Sequence, residues 1–455
     1  MSHGGDPWHR GLSVPKGRFQ ETGRFGRKFR HLRSLKSFSA DDAERLGARL
    51  INGQPGPMNG GPTPAANPLI PAGFTFLGQF IDHDLTLDTT SILEQQNDPQ
   101  AIRNFRTPAF ELDSVYGLGP KVQPFLYEED DLVISEDKND LQRSYKGAAL
   151  IGDPRNDENL LINQIHLAFL KFHNVVRRDH AASFEEAQTY VRWHYQWIVL
   201  NEFLRLTCGD AAVDSALSRG EPSIGEHEAF MPVEFAVAAY RFGHTQVRAG
   251  YRVNDIDDGF AAPIFPADAN APKPTPTVRA DLRGGVVGPK FIVDWSLFFG
   301  QGPDVQLTNK IDTKLAEPLL NLPLTVVDDS SLGNNAPNRS LAVRNLKRGI
   351  AFALPAGETI AAYYRIPPLT PDEVGQGLLG GTPLWFYILK EAEFRANGER
   401  LDGVGARIVA EVFVDALYCD AATYLVSDPG WKPFLPSAQP GDFKITDLLA
   451  MAATW

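Results

Sequence analysis

Gly78-Gln79-Phe80-Ile81-Asp82-His83-Asp84 is the stretch on which the reading of this chain turns. Its lead-in of Phe74, Phe76 and Leu77, continued by Phe80 and Ile81, predicts a helix over 74–83 with one face in a core. On that helix Gln79 and His83 stand four residues apart on one side, and Asp82 joins them. Asp84 points elsewhere, at the helix end. A polar group buried without a hydrogen bond costs roughly 1–3 kcal/mol, so four of them in apolar sequence call for a ligand or a metal. The plainer alternative is a surface helix end with a capping Asp and a solvated His.

The whole chain bounds the possibilities. Its 455 residues can bury a large core, and length alone suggests two or three domains. With 43% hydrophobic and 22% charged residues it has an ordinary globular composition. No run approaches the roughly 20 apolar residues of a membrane span. The N-terminus is basic but has no apolar h-region, so the protein is expected to be cytoplasmic, or exported without a cleaved Sec signal. Cys208 and Cys419 form no CxxC and no disulfide framework; both read as small buried hydrophobes. Residues 1–38 carry nine Lys/Arg against Asp6 and Glu21, in a chain of net charge −12. Such an arm invites nucleic acid or an anionic membrane. Its Gly and aromatic spacing fits better with an extended segment wrapped on its own acidic body, with no nucleic-acid partner.

Residues 50–73, rich in Gly, Pro and Asn, read as an ordered loop. Helices are predicted near 74–83, 157–179, 187–207, 232–245, from about 308, at 383–397 and at 401–423. The stretch 255–290 reads as a long surface loop, with a short hairpin candidate from Gly284 to Val293. The organisation is therefore a basic extended arm over 1–60 and one mainly α catalytic domain over 61–455, with long loops and very little β.

Four further segments carry chemistry. Gly152-Asp153-Pro154-Arg155-Asn156-Asp157-Glu158-Asn159 opens a strongly apolar helix, with Asn156 or Asp157 as cap and Glu158 in the first turn. Arg155 sits where a loop can aim a guanidinium into a cavity; a surface Arg–Asp pair is the alternative. His166 and His173 follow, two turns or about 10 Å apart, too far to chelate one metal. They read as core histidines bonded to backbone. In Ala239-Tyr240-Arg241-Phe242-Gly243-His244-Thr245, Gly243 lets something flat approach beside His244. In Arg344-Asn345-Leu346-Lys347-Arg348, the Asn345 amide can orient a distant imidazole. Finally, Thr107-Pro108-Ala109-Phe110-Glu111-Leu112-Asp113 offers oxygen ligands in a tight loop. Thr107, the Ala109 carbonyl, Glu111 and Asp113, completed by Asp84, suit calcium; an acidic loop that binds nothing is the alternative.

Taken in this order, GQFIDHDL, TPAFELDSVYG, GDPRNDEN…HLAFLKFHN, YRFGHT and RNLKR resemble the animal-type haem peroxidases of the peroxidase–cyclooxygenase superfamily, over roughly residues 60–430. The short length and few cysteines are similar to bacterial members. The resemblance implies a helical domain around haem b, with one bound Ca2+. It implies reduction of hydrogen peroxide to water through a ferryl haem and oxidation of a small anionic or phenolic donor (halide, thiocyanate or phenol), as in a response to oxidative stress. His83 would be the distal histidine, Arg155 the distal arginine, with Gln79 beside them. His244 would be the iron ligand, Asn345 its hydrogen-bond acceptor, and Arg348 a further haem-binding residue. Asp82 and Glu158 match the carboxylates that form ester bonds to haem in vertebrate members. Asn159 replaces the methionine that forms a third link in some of them, which excludes that link. Arg241 stands where fatty-acid oxygenases carry a radical tyrosine; Tyr240 is one residue off, so fatty-acid oxygenation is disfavoured. Glu111 replaces a more usual Asp. Donor and oligomeric state stay open. Two rivals remain: a His-Asp metal phosphohydrolase using His83 and Asp84 with His166 and His173, and a non-enzymatic adhesion or binding module on the same scaffold.

Overall fold

In the computed structural model, which describes residues 25–87, 106–223, 230–256, 260–268, 271–272, 274–275, 279–327, 336–378 and 380–455, the chain is mainly helical around one contiguous apolar core. Residues 1–24 of the basic arm and parts of the 255–290 loop lie outside the described residues. Strands among the described residues form only two-stranded pairs.

The expected helix at 74–83 is Gly73–Leu85, here α2, following the short α1 at Ala40–Gly47. Phe76, Leu77, Phe80 and Ile81 are buried, and Phe80 stacks on Phe169 with centroids 4.7 Å apart. Phe169 belongs to α3, Leu160–Asp179, the long helix against which α2, α4 (Phe184–Ile198) and the C-terminal Ile445–Ala452 pack. The α3 helix begins three residues later than its periodicity suggests. Asn159 caps it, its Oδ1 accepting from Leu161 N at 2.9 Å, whereas Asn156 and Asp157 lie in a preceding 3-10 turn capped by Asp153. The expected 187–207 helix is α4 continued by a π turn, Val199–Phe203, and Leu204–Cys208. The two later predicted helices are α6, Leu384–Ala396, and α7, Gly403–Cys419, which pack together; α5, Leu341–Ala351, precedes them and holds α1.

Two expectations fail for identifiable reasons. The helix predicted over 232–245 is broken into Val233–Ala236, a 3-10 turn at Ala239–Phe242 and Gly243–Gln246. Arg241 Nε donates to the Ala236 carbonyl at 3.0 Å, taking the acceptor that a continuous helix would have given to residue 240. The helix predicted to start near 308 does not form. Leu307–Asn309 pairs antiparallel with Ala66–Pro71, and Pro318 and Pro323 limit the next helical piece to the 3-10 turn Glu317–Leu320. Helix α1 lies inside the arm whose composition predicts an extended segment, and it is marked by a capping box between Ser39 and Asp42. The described part of the arm does lie on the acidic body: Lys28 Nζ meets Glu411 Oε2 at 2.9 Å, and the Lys28 N–H donates to Glu234 Oε2 at 3.0 Å.

The hairpin expected from Gly284 does not form. Instead Arg283 bridges Asn159, and Gly284 N–H donates to Glu158 O at 2.8 Å, so this segment lies across the loop that carries Arg155 and Glu158. A Cβ on Gly284 would run into the Asp157 carbonyl. Gly284→Ala is therefore expected to cost about 1–3 kcal/mol of stability, the usual range for overpacking. Denaturant unfolding measures it; an unchanged midpoint would mean that the two segments are not in close contact.

Candidate active site

One cavity of about 1070 Å³ brings together eight residues that the sequence singles out. Gln79, Asp82 and His83 reach it from α2, Glu158 and Asn159 from the loop before α3, Arg241 and His244 from the broken segment, and Arg348 from α5. Tyr240 also lines it, its hydroxyl donating to the Gly78 carbonyl at 3.0 Å.

His83 is buried, and its Nδ1 lies 2.7 Å from Oδ1 of Asn156. An amide oxygen only accepts, so the ring proton sits on Nδ1 and Nε2 keeps its lone pair for the cavity. Burial, aided by the nearby Arg155 cation, pushes the His83 pKa down to about 3. Arg155 does not reach into the cavity as the sequence suggests. Its Nη2 donates to Asp153 Oδ2 at 2.7 Å and to the His83 carbonyl at 3.0 Å, which pins the guanidinium beside the histidine. Burial alone would raise Asp153, but Arg155 and Arg106 overcome it and hold this carboxyl well below the usual range. Asp82 and Glu158 are both pushed upward by burial, against the pull of Arg155. Thr86 Oγ1 donates to Asp82 Oδ1 at 3.1 Å.

On the same cavity, His244 Nδ1 lies 2.8 Å from Nδ2 of Asn345, while Arg241 Nη1 donates to Asn345 Oδ1 at 3.1 Å. The expected pairing appears with the amide turned the other way, because Arg241 claims its oxygen. Burial and then the Arg241 charge bring the His244 pKa down to about 3.

The candidate calcium residues gather behind α2. Both carboxylate oxygens of Asp84, and Oδ1 of Asp113, are buried without a hydrogen bond of ordinary geometry. Burial pushes Asp84 up, reinforced by the charges of Asp113 and Glu111; burial and the Asp113 charge bring Glu111 up to about 7. Thr107 Oγ1 contacts Glu111 Oε1, Ala109 is buried, and Leu112 holds a left-handed φ of 56° that turns the loop. Among the described residues no group of three or more His, Cys, Asp or Glu has closed into a metal-binding arrangement.

Three residues that sequence reasoning passes over organise the site. Arg106 joins Asp113 Oδ2 at 2.8 Å to Asp153 Oδ2 at 2.6 Å, linking the acidic 107–113 loop to the Arg155 anchor. Its place next to Thr107 is the one signal that the sequence offers. Asp153 is visible there only as part of a loop, and Asn156 only as a helix cap. His173 bonds the Asp130 carbonyl at 3.3 Å and the Tyr116 hydroxyl at 3.0 Å. His166, expected to bond backbone, instead meets Asn156 Nδ2 at 2.8 Å. Each of these two histidines is thus engaged elsewhere, and His83, Asp84, His166 and His173 do not converge as a phosphohydrolase would need.

Residues 121–264 match the family model for animal haem peroxidase, a span holding Arg155, Glu158 and His244. No curated protein sequence matches the chain. Among solved structures, the fold is similar to peroxidase A of Dictyostelium discoideum, with TM-score 0.61 and 14% identity over 96% of this chain and 94% of that one. It is also similar to an Oryza sativa fatty acid alpha-dioxygenase variant with palmitic acid, with TM-score 0.59 and 15% identity over 90% and 77%. The Arabidopsis thaliana fatty acid alpha-dioxygenase gives 0.53 and 14% over 86% and 71%. The family resemblance and the mainly α fold read from the sequence are both borne out.

Burial holds His83, His166, His173, His194 and His244 neutral, each with a pKa brought down to about 3 or 4. In the unfolded chain these rings protonate near 6.5, so below that pH the unfolded state binds more protons and folding stability falls. The protein without added cofactor should thus lose stability steadily as pH drops from about 6.5 towards 4, read as a falling denaturant midpoint. A midpoint flat across this window would show that the rings are not buried neutral.

Proposed function

We propose, for a chain that resembles the animal haem peroxidases in fold and in the sequence of residues 121–264, that it is a haem-dependent peroxidase. In this reading it reduces hydrogen peroxide and oxidises a small anionic or phenolic donor. One observation carries it: His83 and His244 line a single cavity, and each has Nδ1 engaged by a side-chain amide. The residues fit haem b. The cavity is large, and nothing lies within 4 Å of where a Cβ on Gly243 would sit beside His244. Bound haem would supply an iron that takes peroxide and stores the oxidising equivalents that a donor removes.

The chain supplies the rest. His244 would hold the iron through Nε2, which requires its proton on Nδ1 and the Asn345 amide oxygen turned to receive it. Arg241 must then share or release that oxygen. His83, kept neutral by burial, takes a proton from peroxide at Nε2 and returns it to the departing oxygen, acting as base and then acid. Arg155 contributes a fixed positive charge beside this transfer, held in place by Asp153. Gln79 offers its amide to the cavity, and Arg348 suits a haem carboxylate. Asp82 and Glu158 stand in the wall where ester links to haem would form. Arg241, bonded to Ala236 and Asn345, supports a peroxidase rather than an oxygenase that needs a tyrosine at that position.

For calcium, Asp84, Thr107, the Ala109 carbonyl, Glu111 and Asp113 are the proposed ligands. A divalent cation would relieve the repulsion that Asp113 and Glu111 exert on the buried Asp84 carboxyl. At 100 times its Kd, bound Ca2+ should add about 2.7 kcal/mol of stability. A thermal melt with Ca2+ and with a chelator measures this, and identical melts would remove calcium from the account.

The reading is tested on two variants. His83→Leu should lower the rate of peroxide reaction by roughly 10²–10⁴-fold, the usual contribution of general acid–base catalysis, while haem stays bound. His244→Ala should lose haem. Stopped-flow mixing with peroxide and haem quantitation read both; a His83→Leu protein as fast as the parent would contradict the assignment.

A further inference from the structure

We propose that Asn156 and His166 are positioning residues that fix which nitrogen of His83 carries its proton, an inference that deepens the peroxidase reading and rests on it. The Asn156 amide lies between two buried imidazoles and meets each at Nδ1: its Oδ1 is 2.7 Å from His83, its Nδ2 2.8 Å from His166. An amide has an acceptor at one end and a donor at the other, so the two rings must take opposite tautomers. In the observed sense His83 carries its proton on Nδ1 and leaves Nε2 open to the cavity. His166 then accepts at Nδ1 and carries its own proton on Nε2.

Turned over, the amide would donate to His83 Nδ1 and drive that proton to Nε2. The nitrogen facing the cavity would then be a donor and take no proton from peroxide. The sense of one buried amide therefore decides whether His83 is a base. His166 is what gives the donor end a partner. Its Nε2 has no hydrogen-bond partner, and its ring stands edge-on to Phe80 with centroids 6.2 Å apart, so its place is set through Nδ1. Remove the acceptor at 166 and a buried NH2 is stranded, which is rarer and worse tolerated than a stranded carbonyl. The amide would then turn, placing NH2 on His83 and oxygen against the apolar substitute. Asn156 itself is held by its backbone, whose N–H donates to the Asp153 carbonyl at 3.1 Å, so it can rotate its amide without leaving its post.

The test compares His166→Leu with His166→Asn, whose Oδ1 can stand where the imidazole Nδ1 was. Two readouts are taken: 15N NMR of the histidine-labelled full-length protein without haem, and the rate of peroxide reaction of the haem-loaded protein. In the parent and in His166→Asn, His83 should show a protonated Nδ1 and an unprotonated Nε2. In His166→Leu the pattern should reverse, and the peroxide rate should fall roughly 10²-fold or more with haem content unchanged. His166→Asn should stay within a few-fold of the parent. If His166→Leu does not fold, Asn156→Leu takes its place: it removes the amide, and the single Nδ1–H form should give way to a tautomer mixture. A parent protein whose His83 carries its proton on Nε2 overturns the proposal. So does a His166→Leu protein with parental tautomer and rate. A parent that shows the expected tautomer but never reacts with peroxide supports the positioning pair and removes the peroxidase reading instead.

Discussion

The buried carboxylate of Asp153 is the interaction on which the site depends. It accepts from Arg155 at both Nε and Nη2 and from Arg106 Nη2, with no exposure of its own. Arg155 reaches on to the His83 carbonyl, and Arg106 reaches on to Asp113. One anion thus ties together the end of α2, the loop before α3 and the acidic loop at 107–113. Removing one partner from a buried ion pair typically costs about 3–5 kcal/mol, because the other charge is left without compensation. The cluster is therefore stiff, and a change at the acidic loop is carried to His83 through three ionic contacts and one carbonyl.

The second organising feature is the use of amides rather than carboxylates against both cavity histidines. A carboxylate at Nδ1 would favour the imidazolium; an amide orients the ring with little charge of its own. Combined with burial, this keeps both rings neutral, the state that the proposed proton acceptor and the proposed iron ligand both require. The cost is directional ambiguity, since an amide can present either end. On the His244 side Arg241 competes for the oxygen; on the His83 side His166 occupies the nitrogen.

Legibility in the sequence depended on how local each cause was. The α2 helix was readable because its apolar period and its polar cluster lie in one continuous stretch, and His83, Gln79 and Asp82 all face the cavity from it. The break after Ala236 was not readable, since the bond that causes it comes from the side chain of Arg241. The strand at 307–309 was hidden because its partner lies more than 200 residues earlier, at Ala66–Pro71. In Asn156-Asp157-Glu158-Asn159 every residue is a plausible first-turn or cap residue, so local chemistry alone could not show that Asn159 caps while Asn156 turns inward. Arg106 and Asp153 gain their meaning only once three loops meet.

The most direct measurement is an absorption spectrum of the purified protein, supplied with haem, before and after one equivalent of hydrogen peroxide. The account expects a Soret band that shifts on mixing and returns when a phenolic donor is added. A protein that stays colourless after exposure to haemin would contradict the central claim, as would a Soret band that peroxide leaves in place.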